Sequence, residues 1–227
     1  MFRGDEFVIS RNMNRLAVDI GGTFTDAVVE WPGGRVTTKF LTTSDAPENG
    51  VFEGISAAMK EAGLEAGDID ILVHGTTLAT NAIIERKGAV TALITTVGFR
   101  DTIDIGYESR YDQYDIYLDK PEPLVPRRLR LTVPERLNAR GEILIPLDEE
   151  AVKALVPQLK QLRVKSVAVG FLHSYANSAH EERVRDLLID ADPNLYVTLS
   201  SEVCPEIREY ERLSTACANA YIQPVMS

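Results

Sequence analysis

A chain of 227 residues, 44% of them hydrophobic, is long enough to bury a substantial core and should fold as one domain or one and a part. A formal net charge of −10, without sustained Lys/Arg clusters, argues against nucleic-acid binding. No apolar run reaches the ~18 residues of a membrane span, and the N-terminus lacks a signal-peptide core. Two cysteines, Cys204 and Cys217, form no C-x-x-C pair, which points to a reducing, cytoplasmic setting in which both are small, partly buried side chains.

In chain order, residues 1–14 read as a flexible leader. Strands are expected near 15–20, 24–31 and 35–42, the last two joined by Pro32-Gly33-Gly34. A helix then runs from Ala46-Pro47-Glu48 to about Ala62, with Ser44 or Asp45 as cap and Val51, Ile55, Ala58 and Met59 recurring at helical spacing. Strand 69–73, helix 78–87 ended by Gly88, and strand 90–95 follow. From Thr102 to Pro126 the alternation breaks into a polar stretch rich in tyrosine and proline. The segment 129–147 reads as a β-hairpin turning at Asn138-Ala139-Arg140-Gly141, with the basic group Arg127-Arg128-Leu129-Arg130 as a solvated strand edge. Helix 148–162, strand 164–171, helix 178–189, strand 195–199 and a helix from about Pro205 complete the pattern. Strands alternating with helices predict a mostly parallel sheet covered on both faces.

The run Asp19-Ile20-Gly21-Gly22-Thr23-Phe24-Thr25-Asp26 lies between the first two strands. Glycine has no Cβ, so Gly21 and Gly22 can bring backbone N–H groups close to an anion, and Thr23 and Thr25 add hydroxyls. Carboxylates beside phosphate make sense only with a divalent cation between them, and Mg²⁺ favours hard oxygen ligands of this kind. The run therefore reads as a Mg²⁺-nucleotide phosphate cradle, the plainer alternative being a hairpin turn that binds nothing. It is neither a Walker A loop nor a G-x-G-x-x-G fingerprint.

These residues resemble the first phosphate motif of the actin, sugar-kinase and heat-shock ATPase superfamily. Within it, they are similar to the N-terminal region of the hydantoinase/oxoprolinase A-subunit family. The run His74-Gly75-Thr76-Thr77-Leu78-Ala79-Thr80-Asn81-Ala82-Ile83-Ile84-Glu85-Arg86-Lys87-Gly88 resembles a second motif of that family. Further similarities are Thr96-Val97-Gly98-Phe99-Arg100-Asp101, Pro123 to Arg127, Gly170-Phe171-Leu172-His173-Ser174-Tyr175, and Ser201-Glu202-Val203 leading into Glu209-Tyr210-Glu211-Arg212. The resemblance implies an α/β, actin-like (ribonuclease H-like) ATPase domain over residues 15–200, with a mixed, mostly parallel sheet and helices on both faces. Residues 201–227 would then begin a following region of a larger two-lobed protein.

The resemblance also implies chemistry. A lactam or hydantoin carbonyl would be activated by phosphorylation from ATP, and a hydantoinase B-like subunit or domain would complete hydrolysis of the cyclic amide. Asp19 and Asp26 would hold Mg²⁺ (or Mn²⁺), with Asp19 and His74 as catalytic candidates. Gly21, Gly22, Thr23 and Thr25 would bind phosphates. Gly75, Thr76, Thr77, Thr80 and Asn81, placed between a strand and a helix, would bind the nucleotide or orient the transferred group, although Thr76 or Thr77 could equally be a helix cap. His74 is also open to a purely structural role, and His173 and His180 read as structural. Arg110, Tyr111 and Tyr114, in the tyrosine-rich stretch, are substrate-facing candidates; a surface excursion against a partner is the alternative. There this chain departs from many relatives, with Tyr107 after Gly106 and Tyr111 after Arg110, so the resemblance alone does not fix hydantoin or oxoproline as the substrate. A ketone carboxylase subunit, a small-molecule kinase and a non-enzymatic nucleotide switch remain alternatives. The chain by itself is expected to be inactive.

Overall fold

The computed structural model describes residues 13–21, 23–42, 47–107, 114–117 and 120–226. The chain forms two compact units, Met1–Asn81 and Ala82–Ser227.

The first unit contains β1 (Arg15–Ile20), β2 (Phe24–Trp31), β3 (Gly34–Leu41), α1 (Pro47–Ala62) and β4 (Ile71–Thr76). The helix α2 (Leu78–Ile84) runs across the boundary. Its sheet has the order β3-β2-β1-β4, antiparallel across the first three strands and parallel between β1 and β4. Alternation along β1 and β2 sets the two faces. Leu16, Val18, Ala27 and Val29 are buried and pack with Val51, Ala58 and Met59 of α1. Arg15, Ala17 and Asp19 of β1 lie on the opposite face, level with Glu30, Val28 and Asp26 of β2. The expected helical face of α1 is thus the one that meets the sheet. Gly54 lets it approach, since a Cβ there would lie 1.8 Å from the Phe40 ring.

The second unit contains β5 (Thr91–Thr96), α3 (Thr102–Ile105), β6 (Arg130–Val133), β7 (Arg136–Leu137), β8 (Ile143–Ile145), α4 (Glu149–Gln161), β9 (Ser166–Gly170), α5 (Ala179–Ala191), β10 (Tyr196–Leu199), α6 (Ser200–Val203) and α7 (Glu209–Met226). Its main sheet, β10-β9-β5-β6, is entirely parallel. Every residue of β5 and β9 is buried, as expected for central strands covered on both faces. Gly170 faces α7, where a Cβ would come 2.0 Å from Leu213 Cδ2. Gly170→Ala should therefore overpack the core and cost about 1–3 kcal/mol, read as a lower urea midpoint with unchanged slope. At the other end of α7, Ala89 N–H donates to Tyr221 O at 2.9 Å, and Gly88 fits beneath the Tyr221 ring.

The α/β class with mixed and parallel sheets is as expected, its strands divided between a mixed four-stranded sheet and a parallel one. Other expectations are corrected. The hairpin expected over 129–147 is confined to β7 and β8, with Gly141 at φ 79° in its turn; β6 instead joins β5 in the parallel sheet. Arg130 is not a solvated edge: it is 2% exposed because Asp104 and the Val125 carbonyl receive its guanidinium. Arg127 pairs with Asp101 through two bonds of 2.9 and 3.0 Å and holds that carboxyl below its usual range. The last helix begins at Glu209, and α2 ends at Ile84. Leu213, Ala216, Cys217 and Ala220 of α7 pack in the same core as β5 and β9.

Burial pushes the Cys217 thiol up to about 12, whereas Cys204 is only half-buried. Iodoacetamide near pH 8 should alkylate Cys204 in the folded protein and reach Cys217 only after denaturation, as peptide mass mapping would read.

Candidate functional site

Strand register places Lys39, Asp26, Asp19 and Gly75 directly opposite one another in one row across the first sheet. Directly opposed residues share a face, so both carboxylates stand side by side on the face away from α1. Asp26 is ion-paired with Lys39 at 3.3 Å, and Lys39 Nζ lies 5.0 Å from the centre of the Phe24 ring. Asp19 leans over Gly75: its Oδ1 is 3.4 Å from where a Cβ at residue 75 would sit. A Cβ there would meet the carboxylate at ordinary van der Waals distance.

The β1–β2 turn adjoins this row. Gly21 N–H donates to Phe24 O at 3.0 Å, and a Cβ on Gly21 would lie 2.7 Å from that oxygen. Glycine is therefore required for the tight turn, and this N–H closes the hairpin instead of facing an anion. Thr25 is fully buried, its hydroxyl 2.9 Å from that of Thr42, which donates to Gly21 O at 3.0 Å. Thr25 holds the turn in shape and presents no hydroxyl outward, contrary to the expectation for it. Thr23 is exposed, and Gly22 lies outside the described residues.

The second motif begins inside β4, not after it. Val18 is the register partner of His74, as Asp19 is of Gly75. Strand alternation therefore sends exposed His74 to the face opposite Asp19 and Asp26, and the two catalytic candidates are not brought together. Thr77 is the closer neighbour of the turn: its N–H and hydroxyl both meet Ile20 O, at 3.1 and 3.4 Å. Thr76 Oγ1 accepts from Leu78 N at 3.2 Å, and Thr77 O receives Asn81 N at 2.8 Å, so these residues do start α2. Asn81 Nδ2 donates to Thr77 Oγ1 at 3.2 Å, while Thr80 is exposed. Tyr114 is 90% exposed; Arg110 and Tyr111 lie outside the described residues.

Lys39 and Thr42 were not singled out from sequence. Extending the register outward from the Pro32-Gly33 turn would have found Lys39, because it fixes Asp26 opposite Lys39. Two opposed carboxylates on an open face suit a hard cation that keeps several waters. Among the described residues no group of three or more His, Cys, Asp or Glu side chains could hold a metal, so phosphate oxygens and water would have to complete the shell.

The second unit carries a buried polar network. Glu181, fully buried, accepts from Phe171 N (2.9 Å), Ser200 Oγ (2.7 Å), Ser201 N (2.9 Å) and Ser201 Oγ (2.7 Å). Arg212, also fully buried, donates to Phe171 O, Glu206 O, Ser200 Oγ and Glu209 Oε1. Burial would raise the Glu209 carboxyl, but the Arg212 guanidinium and the His173 N–H outweigh it and hold it low. His180 is fixed by Glu135 at 2.9 Å, as a structural histidine would be. His173 adopts φ 58°, in the left-handed region.

Among the described residues, no helix is long and apolar enough to cross a membrane. The family described as hydantoinase/oxoprolinase N-terminal region matches residues 15–191. Caprolactamase subunit alpha of Pseudomonas jessenii is 34% identical over 96% of this chain and 32% of its own length. The crystal structure of that organism's ATP-dependent caprolactamase superposes with a TM-score of 0.81, covering 93% of this chain and 32% of the other. The acetophenone carboxylase gamma subunit of Aromatoleum aromaticum is 34% identical over 94% of this chain and 32% of its own length. 5-Oxoprolinase 1 of Arabidopsis thaliana is 31% identical over 93% and 19%. The chain spans a third or less of these relatives. With the matched region and the shared fold together, the chain belongs to the hydantoinase/oxoprolinase family through its N-terminal region.

Proposed function

We propose that this chain is the phosphate-binding portion of an ATP-dependent enzyme that activates the carbonyl of a cyclic amide by phosphorylation. The observation that carries the reading is the cross-strand placement of Asp19 beside Asp26, next to the tight Gly21 turn. Kinship to ATP-dependent caprolactamase and to 5-oxoprolinase supplies the reaction class.

An amide resists water because resonance makes its carbonyl a poor electrophile. Transfer of the ATP γ-phosphoryl group to the amide oxygen gives an imidate phosphate. Water then adds to that carbon, the ring nitrogen takes up a proton and leaves as the C–N bond breaks, and the resulting acyl phosphate releases phosphate to a second water, leaving the ring-opened amine and carboxylate. Positioning and charge neutralisation do most of the work in phosphoryl transfer. Mg²⁺ held by Asp19, with Asp26 directly or through water, would supply that neutralisation. Thr23 would meet the phosphates, with Thr77 and Asn81 framing the same end of the sheet. A hydantoinase B-like subunit or domain would complete hydrolysis; the caprolactamase and acetophenone carboxylase relatives are themselves named as subunits.

Likeness to the carboxylase subunit favours a second reading, in which the same ATP step activates a ketone enolate for carboxylation. The test is to incubate the full-length protein and its co-expressed partner with Mg²⁺-ATP and a panel of lactams, hydantoins and ketones. Phosphate release and product mass are followed together. Ring opening stoichiometric with ATP use supports the amide reading. Bicarbonate-dependent carboxylation replaces it with the second. A phosphorylated product points to a kinase, and ATP binding without turnover to a nucleotide switch.

A further inference from the structure

A shallow polar pocket of about 310 Å³ opens in the second unit, lined by Gly141, Ser174, Tyr175, Asn177, Ser178 and Ser201 among others. It lies by the carboxyl ends of β9 and β10, where parallel sheets commonly receive ligands. A hydroxyl has one proton and two lone pairs, so following each proton shows what the wall offers. Ser201 Oγ gives its proton to Glu181 at 2.7 Å. Ser178 Oγ gives its proton to Glu182 at 2.5 Å. Ser200 also donates to Glu181, at 2.7 Å, while accepting from Arg212. The proton in the 3.2 Å contact between Ser174 and Ser200 must therefore come from Ser174. All three serine hydroxyls that line the pocket have spent their protons on chains ending in a carboxylate, and they retain only lone pairs.

The remaining polar groups are mixed, and the serines set the balance. Asn177 spends one amide proton on Gly141 O and accepts at its carbonyl from Ala179 N, which leaves one amide proton as the single side-chain donor of this group, and the Tyr175 hydroxyl can accept as readily as donate. An anion would gain little at the start of α5, because that turn already carries Glu181 and Glu182. We infer that this pocket binds a cationic hydrogen-bond donor, an alkylammonium group, through Ser178 and Ser201, with buried Ser174 behind them. The buried network behind it holds Ser201 in place before any ligand arrives, and Glu182 fixes Ser178 at the rim. The inference does not depend on the nucleotide reading of the first unit.

The test is a titration of the ¹⁵N-labelled 227-residue chain with methylammonium chloride, balanced by tetramethylammonium chloride at constant ionic strength. Tetramethylammonium carries the same charge but has no N–H. Saturable shifts of the 174–178 and 201 amides, with millimolar affinity, are expected for methylammonium alone. Ser201→Ala should weaken binding about five- to tenfold, the effect of one lost hydrogen bond to a charged group. Ser178→Ala reads the same property from the exposed rim, so a folding defect in the first variant leaves the second informative. Absence of saturable shifts at tens of millimolar, equal shifts with tetramethylammonium, or unchanged affinity in both variants would overturn the inference.

Discussion

Asp19→Asn in the full-length protein, assembled with its partner, should lower ATP-dependent phosphate release by at least about two orders of magnitude, as when a group that neutralises transition-state charge is removed. The amide is nearly the same size but carries no charge and cannot hold a hard cation. Asp19 is exposed, so folding stability should change by less than about 0.5 kcal/mol. His74→Ala, on the other face of the same sheet, should retain most of the turnover. Steady-state phosphate assays and thermal melts of both variants check this contrast. Wild-type turnover in Asp19→Asn would remove the carboxylate pair from the mechanism.

The largest loss of stability is expected from Glu181→Ala. Its carboxylate receives two backbone N–H groups and two hydroxyls at a fully buried position. Truncation strands all four donors, and a buried unsatisfied group costs roughly 1–3 kcal/mol. Partial rescue by water brings the expected total to about 3–5 kcal/mol, within the range for breaking buried charged networks. Glu181→Gln keeps one carbonyl oxygen and should fall between. Urea unfolding followed by circular dichroism measures both. A loss under about 1 kcal/mol for the alanine variant would mean that the network is not the rigid element inferred from its bonds.

Local pattern made the strands and helices legible, because period-2 burial in β1 and β2 and the Val51-Ile55-Ala58-Met59 stripe are written in neighbouring residues. Pairing partners were harder. β6 and β8 both look like hairpin strands, and only β5, more than thirty residues earlier, draws β6 into the parallel sheet. The same limit applied to the site. Asp19, Gly21 and Asp26 could be read as a group because a hairpin keeps them close. His74 could not be assigned a face until its register against Val18 was fixed, since a one-residue slip reverses every side chain. Thr25 looked like a phosphate donor because hydroxyl chemistry is visible in sequence, whereas its engagement with Thr42 is a contact between strands. Glu181 and Arg212 gave no warning as charged residues within helices, which are more often solvated.

The bond from Ala89 to Tyr221 O, with Gly88 under the Tyr221 ring, joins the beginning of the second unit to its last helix. The unit therefore closes on itself. Its fold should survive circular permutation, with new ends opened in the exposed β7–β8 turn and the old ones linked by a short spacer. Trimming the last two turns of α7 would be far more damaging, because it would strip the cover from Gly88 and leave the Ala89 amide without its acceptor.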